Sequence, residues 1–248
     1  MIADIKAEFR KLLTVRSTYV ITAICLAFTI LIAFYALGYR LTAVEASGSN
    51  ALADSPHAVI QFVGLLLGLV GILMITHEYR YNTIMYTLTA ARRRWQTLAS
   101  KIIVITTFAV VVGAAITIIS PYLTKFGVNL RGTQLAPQDL PLGTIVLKSM
   151  LYCWGCAMFG AIIATLIRVQ AGAIVIYLLM PLLVENILVL LLKDNTKYLP
   201  FTALSHVVRD GPVSAGALSY TQTVLVVLSY IVVGWLVTLV LFNKRDAN

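Results

Sequence analysis

Six long apolar stretches, most of them free of charged residues, constrain the fold of this chain more than any other feature. A helix needs about 20 apolar residues to cross the ~30 Å hydrocarbon core of a bilayer at 1.5 Å per residue. Each stretch is continuously apolar, whereas the strands of a membrane barrel alternate apolar and polar residues over about ten positions. We therefore predict an all-α membrane protein with spans at 18–39, 58–76, 102–123, 142–167, 171–192 and 220–242.

The overall composition agrees with these spans. Of the 248 residues, 60% are hydrophobic and only 12% are charged, which excludes a soluble enzyme and a disordered chain. Three cysteines are too few for a disulfide framework. No repeat or linker divides the sequence, so we predict one six-helix domain over 18–242.

The basic residues predict the orientation of the chain. Placing both termini in the cytoplasm puts 12 of the 19 Lys and Arg residues on the inner side, as the positive-inside rule requires. The inner segments are then a cytoplasmic loop at 77–101 and a tail at 243–248, and residues 193–219 form an outer loop. We expect a multi-pass protein of a prokaryotic cell membrane.

Residues 1–17 form an amphipathic pattern ahead of the first span. Ile2, Ile5, Phe9, Leu12 and Leu13 recur at helical spacing, with charged residues mostly on the other face. The pattern predicts an interfacial helix on the cytoplasmic leaflet. Such a helix either anchors the chain or holds a cytoplasmic partner, and periodicity does not separate the two roles.

The loop at 77–101 combines aromatic and aliphatic residues with polar ones, which predicts a short helix able to fit a groove on another protein. Its arginine run, Arg92, Arg93 and Arg94, taken alone is more typical of a topology anchor at lipid headgroups.

With this loop the sequence resembles the permease subunits of ABC transporters of the ABC-2 type. The residues that carry the resemblance are Glu78, Asn82-Thr83, the stretch from Ile84 to Leu88, the run Arg92-Arg93-Arg94, and Lys101. Before the first span, Glu8, Lys11 and Arg16 also look like the start of that family. As topology, the resemblance covers the whole chain.

The resemblance implies a half-size transmembrane subunit of an exporter, which dimerises with itself or with a paralogous permease and binds a separate ATPase. It also implies that the loop helix seats on the ATPase, with coupling residues Glu78, Arg80, Thr83, Ile84, Leu88, Arg92, Arg93, Arg94 and Lys101, and that Glu8, Phe9, Lys11 and Arg16 belong to the interfacial helix. Within 193–219 it implies short re-entrant helices, although an ordinary outer loop fits nearly as well. The substrate would be a lipid, peptide, drug or glycan.

The ATPase must be another chain, because the sequence lacks a Gly-x-x-x-x-Gly-Lys-Ser/Thr loop for phosphates. ATP and Mg²⁺ are therefore expected on that partner. We expect this chain to bind no cofactor and no metal, and not to be an enzyme by itself.

Glu185 is the one acidic residue well inside a predicted span, and Asn186 follows it. An ionised carboxylate in hydrocarbon is costly, so Glu185 should face protein or water. It either lines a transport pathway or stabilises the interior of a dimer, or it forms a structural pair with Lys148.

Two other patterns are better explained by packing. Gly64 and Gly68 form a Gly-x-x-x-Gly motif that lets another helix approach closely. Cys153 and Cys156 have the spacing of a redox motif, but they lie inside a predicted span where a thiolate is disfavoured. An intramembrane enzyme and a secondary transporter or channel remain the alternative functions.

Overall fold

The computed structural model describes residues 2–40, 51–81, 94–132, 140–208 and 218–244. Within these ranges the regular structure is helical throughout, without a strand. Six helical stretches are long and apolar enough to cross a membrane. The predicted all-α class and the six spans are therefore confirmed, and the chain has the build of a multi-pass membrane protein.

The helices follow one another in a simple order. They are α1 (Ile2–Thr14), α2 (Arg16–Thr29) with a π-helical continuation (Ile30–Tyr39), α3 (Ala51–Arg80), α4 (Arg94–Leu130), α5 (Leu142–Ile167), α6 (Gln170–Leu179) continued by a π-helical turn (Met180–Val184) into α7 (Glu185–Leu192), a 3₁₀ segment (Lys193–Tyr198), α8 (Pro200–Val208) and α9 (Tyr220–Lys244). We call the end of the bundle at which α1, Arg80 and Arg94 lie the α1 end, and the opposite end the far end.

Two helices are longer than the apolar stretches that predicted them. The predicted span at 58–76 is the central part of α3, which ends at Arg80, and the predicted span at 102–123 is the central part of α4, which begins at Arg94. Hydropathy marks only the part of a helix that crosses hydrocarbon, whereas Glu, Lys and Arg continue a helix readily into water. Both ends of the predicted loop at 77–101 are consequently helical, and its middle, 82–93, lies outside the described residues.

Helices α3 and α5 form the centre of the bundle. In their most apolar windows 61% and 67% of residues are buried, compared with 11% in the stretch Gln170–Leu192. The close contact of α3 with α5 and α6 depends on small residues: Gly64 lies against Tyr152 and Cys156, and Gly68 lies against Tyr177. The Gly-x-x-x-Gly motif thus packs within this chain.

The cysteine pair belongs to the same packed region. Cys153 and Cys156 are free thiols and both are buried. Cys153 lies against Gly113 of α4, and Cys156 lies against Gly64 of α3. Each sulfur fills the space next to a glycine, so the C-x-x-C string serves contacts between helices.

Candidate functional site

Helix α1 lies across the α1 end of the bundle with one face turned inward. Glu8 and Leu12 on that face are 3% and 2% exposed, and Ile5 and Phe9 pack against the core. Ile2 and Leu13, by contrast, are exposed, and so are the charged side chains of Lys6 and Arg10. The periodicity therefore located α1 correctly, but its inward face carries a carboxylate as well as apolar side chains.

Four side chains from three helices meet under α1 in a network that we call the ion cluster: Glu8 and Lys11 of α1, Glu78 of α3, and Lys101 of α4. The Lys101 ammonium lies 2.8 Å from Glu8 Oε2 and 2.8 Å from Glu78 Oε1. The Lys11 ammonium lies 2.7 Å from Glu8 Oε1 and 2.7 Å from Glu78 Oε1. Two carboxylates and two ammonium groups thus alternate, and their formal charges cancel.

Three of the four side chains of the ion cluster are shielded from solvent. The side chains of Lys101, Glu8 and Glu78 are 4%, 5% and 7% exposed, whereas Lys11 is 46% exposed. Each buried ion loses hydration worth several kcal/mol, and only well-placed opposite charges recover that loss. The net stability that such a cluster adds is therefore small, whereas removal of one of its members leaves an uncompensated buried charge and is strongly destabilising.

Lys11 closes the solvent side of the ion cluster. Partial burial lowers its pKa, but hydrogen bonds and charge attraction from Glu78 and Glu8 outweigh burial and raise the pKa above its usual 10.5. Lys11 therefore stays charged at neutral pH. An ammonium has three N–H groups. Lys11 donates to two carboxylates, those of Glu8 and Glu78.

The end of α3 is also held to the turn between α5 and α6. Arg80 donates a hydrogen bond of 3.2 Å from Nη1 to Gln170 Oε1. The Arg168 guanidinium lies 5.5 Å from the ring centroid of Tyr79, and Arg168 ends α5 in a left-handed conformation with φ of 61°. The end of α3, just before 82–93, is thus attached both to α1, through the ion cluster, and to the turn between α5 and α6.

The predicted coupling residues fall into two groups. Glu78 and Lys101 lie in the ion cluster, and Arg80 is exposed beside it. Arg94 begins α4, but its side chain lies outside the described residues. Thr83, Ile84, Leu88, Arg92 and Arg93 lie outside the described residues as well. Of the predicted interfacial set, Phe9 packs on the core and Arg16 is exposed at the start of α2.

A cavity of about 420 Å³ lies next to the ion cluster, between α1, α2 and α3. Its walls are Leu12 and Val15 of the α1–α2 corner, Thr18 of α2, and Val70, Leu73 and Met74 of α3. Its polar residues gather at one end: Glu8, Lys11, His77, Glu78 and Tyr81. This cavity is an apolar slot with a charged end.

Glu185 accepts three hydrogen bonds from the start of α8. Its Oε1 accepts a hydrogen bond of 2.7 Å from the Phe201 backbone N–H, and its Oε2 accepts bonds of 2.6 and 2.7 Å from the backbone N–H and hydroxyl of Thr202. The two backbone N–H groups belong to the first turn of α8, where such groups have no partner inside the helix. The carboxylate also favours the positive end of the helix dipole. Glu185 therefore caps α8.

Helix α8 packs one face against the bundle, with Ala203, Leu204, Val207 and Val208 buried. The Phe201 ring lies 5.2 Å from that of Phe159 and 5.6 Å from that of Tyr177. Leu204, fully buried, lies against Gly155 in the middle of α5. The prediction for 193–219 was either re-entrant helices or an outer loop. The described part contains the 3₁₀ segment Lys193–Tyr198 and the short helix α8, which packs against α5.

Lys148 and Asn186 were grouped with Glu185 in the sequence. The Lys148 ammonium lies 5.5 Å from the ring centroid of Tyr220. Asn186 points to the exposed side of α7, where Nδ2 donates hydrogen bonds of 3.2 and 2.8 Å to the carbonyls of Pro181 and Leu182. Thr202 is not among the residues predicted from the sequence. The available signal was Pro200, since proline is favoured in the first turn of a helix.

A family profile described as a protein of unknown function (DUF2705) matches residues 19–247 of this chain. The match takes in all six spans, Glu78, Lys101 and Glu185, while α1 with Glu8 and Lys11 precedes it. No curated protein matches the chain.

Proposed function

The chain belongs to the DUF2705 family, whose function is unknown, and we propose that it is the membrane-spanning subunit of an ATP-driven exporter of the ABC-2 type. In this proposal both termini and the segment 82–93 lie in the cytoplasm. A separate ATPase subunit binds ATP and Mg²⁺, and this chain binds no cofactor and hydrolyses nothing itself. Two permease chains, identical or paralogous, form the transport unit, and the cargo is a lipid, peptide, drug or glycan.

The ion cluster is the observation that carries the proposal. Its four members are all residues on which the resemblance to ABC-2 permeases rests: Glu8 and Lys11 before the first span, and Glu78 and Lys101 on either side of the loop. The structure joins them through contacts of 2.7–2.8 Å. The pattern therefore describes one three-dimensional junction as well as a set of separate positions in the sequence.

The junction suits a subunit that transmits movement from a cytoplasmic partner. A push on 82–93 acts on the end of α3 and the start of α4, which flank that segment. The ion cluster ties both helix ends to α1, so the three move together, and α3 is one of the two central helices. Movement of a docked ATPase would thus reach the centre of the bundle.

Charge supports the cytoplasmic placement of the α1 end. Arg10, Arg16, Arg80 and Arg168 are located there, outside the ion cluster. Lys and Arg concentrate in cytoplasmic segments close to span ends. The same end holds 82–93 with its arginine run.

Purification of the tagged chain in mild detergent from its native host tests the function. We expect a second chain with a phosphate-binding Gly-x-x-x-x-Gly-Lys-Ser/Thr loop to co-purify in a one-to-one ratio, and vanadate-sensitive ATP hydrolysis to accompany it. Purification without any ATPase chain, from cells that express both proteins, would contradict the function. A neighbouring gene that encodes such a chain provides the partner for reconstitution.

Charge reversal of Arg92, Arg93 and Arg94 to Glu tests the docking segment. The ATPase should be lost while the permease still inserts and purifies in normal yield. The matched control is Lys125→Glu, an exposed basic residue near the far end of α4, which should retain the ATPase. Equal recovery of ATPase with both variants would show that 82–93 is not the docking segment.

A further inference from the structure

The cavity between α1, α2 and α3 has the shape and chemistry of a binding site for an amphipathic molecule. Along α3 its lining runs from Val70 to Tyr81, which spans about 16 Å at 1.5 Å per residue. Val70, Leu73, Met74 and Val15 give this length an apolar wall. The polar side chains of the lining lie at one end of the cavity, except for Thr18, which lies on the α2 side.

Two groups at the charged end have unused hydrogen-bonding capacity. Lys11 has three N–H groups, its two carboxylate partners use two of them, and its side chain is 46% exposed. Glu78 Oε2 is buried and accepts no hydrogen bond from the described residues, since both lysines bind Oε1. A buried carboxylate oxygen without a donor is costly, which favours a ligand that supplies one.

We propose that this cavity binds one phospholipid with a primary-amine headgroup. One acyl chain lies along Leu73, Met74 and Val70, and the phosphate accepts the third N–H of Lys11. The ammonium group of the lipid donates to the Glu78 carboxylate, whose side chain lines the cavity. The inference goes beyond the proposed transport function and does not depend on it.

The charge of the site favours a zwitterionic headgroup. Glu8 and Glu78 balance Lys11 and Lys101, so the charged end is formally neutral. A lipid with net negative charge would meet two carboxylates, and a cationic amphiphile would meet two ammonium groups. A phosphate joined to an amine offers an acceptor for Lys11 and a donor for Glu78 together. The position also fits, because α1 has the amphipathic pattern of a helix at the membrane surface.

Native mass spectrometry of the full chain with added lipid tests the headgroup. The probes are phosphatidylethanolamine and phosphatidylcholine with identical acyl chains, since the choline group has the same charge but no N–H donor. We expect one retained phosphatidylethanolamine per chain, bound about tenfold more tightly than phosphatidylcholine, as the loss of one charge-assisted hydrogen bond predicts. Equal affinity for both lipids would overturn the headgroup assignment.

Filling the cavity tests its location. Met74→Trp should abolish the retained lipid, and Val20→Trp should not, because Val20 is 57% exposed on α2 and is not a lining residue. If Met74→Trp does not yield folded protein, Leu73→Trp provides the same block at a half-buried position. Retention of the lipid by a folded filled variant would overturn the site. Absence of bound lipid in the unmodified chain would also overturn it.

Discussion

Lys101 of α4 and Glu8 of α1 form a buried ion pair of 2.8 Å although 93 residues separate them in the sequence. Lys101 forms a second contact of the same length with Glu78. One ammonium group thus joins the amphipathic helix to both helices that flank 82–93. This arrangement makes the α1 end a single mechanical unit, and it makes Lys101 the residue on which that unit depends most.

Replacement of Lys101 by Met should lower the free energy of unfolding by about 3–5 kcal/mol, because two buried carboxylates then share the one ammonium of Lys11. Thermal unfolding in detergent measures the effect. Lys125→Met, at an exposed position of the same helix, removes the same charge and should change stability by less than about 1 kcal/mol. Equal losses in the two variants would show that the ion cluster does not hold the helices together.

The pairing itself is tested by a double-mutant cycle with Glu8→Gln and Lys101→Met. Each single change leaves the cluster with unequal charge, whereas the double variant leaves Lys11 and Glu78 as a balanced pair. The double variant should therefore lose about 1–3 kcal/mol less stability than the sum of the single losses. Additive losses would mean that Glu8 and Lys101 act independently.

The sequence predicted the parts of this structure that depend on local composition. The fourth span was predicted at 142–167 and occupies Leu142–Ile167, because a long apolar run has one stable form in hydrocarbon. Glu8, Lys11, Glu78 and Lys101 were each recognised as belonging to a pattern, but their meeting was not. The contacting residues lie 67 or 93 positions apart in the sequence. Such contacts follow from how whole helices pack, and a single sequence contains no direct record of that packing.

Glu185 shows a second kind of limit. Its position inside an apolar span correctly indicated a carboxylate that must be satisfied by protein or water. Two of its three hydrogen bonds come from the backbone N–H groups of Phe201 and Thr202, and every residue except proline has such a donor. The partner was therefore invisible to an argument that searched for an opposite charge such as Lys148.

Replacement of Glu185 by Gln should loosen α8 in particular. The neutral amide has one carbonyl oxygen where the carboxylate offers two charged ones, so about 1.5–3 kcal/mol of local stability should be lost. Hydrogen exchange should become faster at residues 200–208 while the exchange of α3 stays unchanged. Asn186→Leu is the control, because the Asn186 amide donates to carbonyls of its own helical segment, away from α8. Unchanged exchange in α8 together with loss of export would instead assign Glu185 to the transport pathway.

Gly68 should tolerate no side chain while Tyr177 keeps its place. A Cβ at this position would overlap the hydroxyl and ring of Tyr177, which is fully buried and cannot turn outward. Gly68→Ala should therefore lower the free energy of unfolding by about 1–3 kcal/mol. Because the Tyr177 hydroxyl is the nearest atom, Tyr177→Phe in the same chain should recover part of the loss.

Gly143→Ala, at a helical position with open space around it, should be neutral or stabilise by up to about 1 kcal/mol. Thermal unfolding in detergent compares these three variants with the unmodified chain, and a Gly68→Ala variant as stable as Gly143→Ala would show that α3 and α6 do not pack this closely.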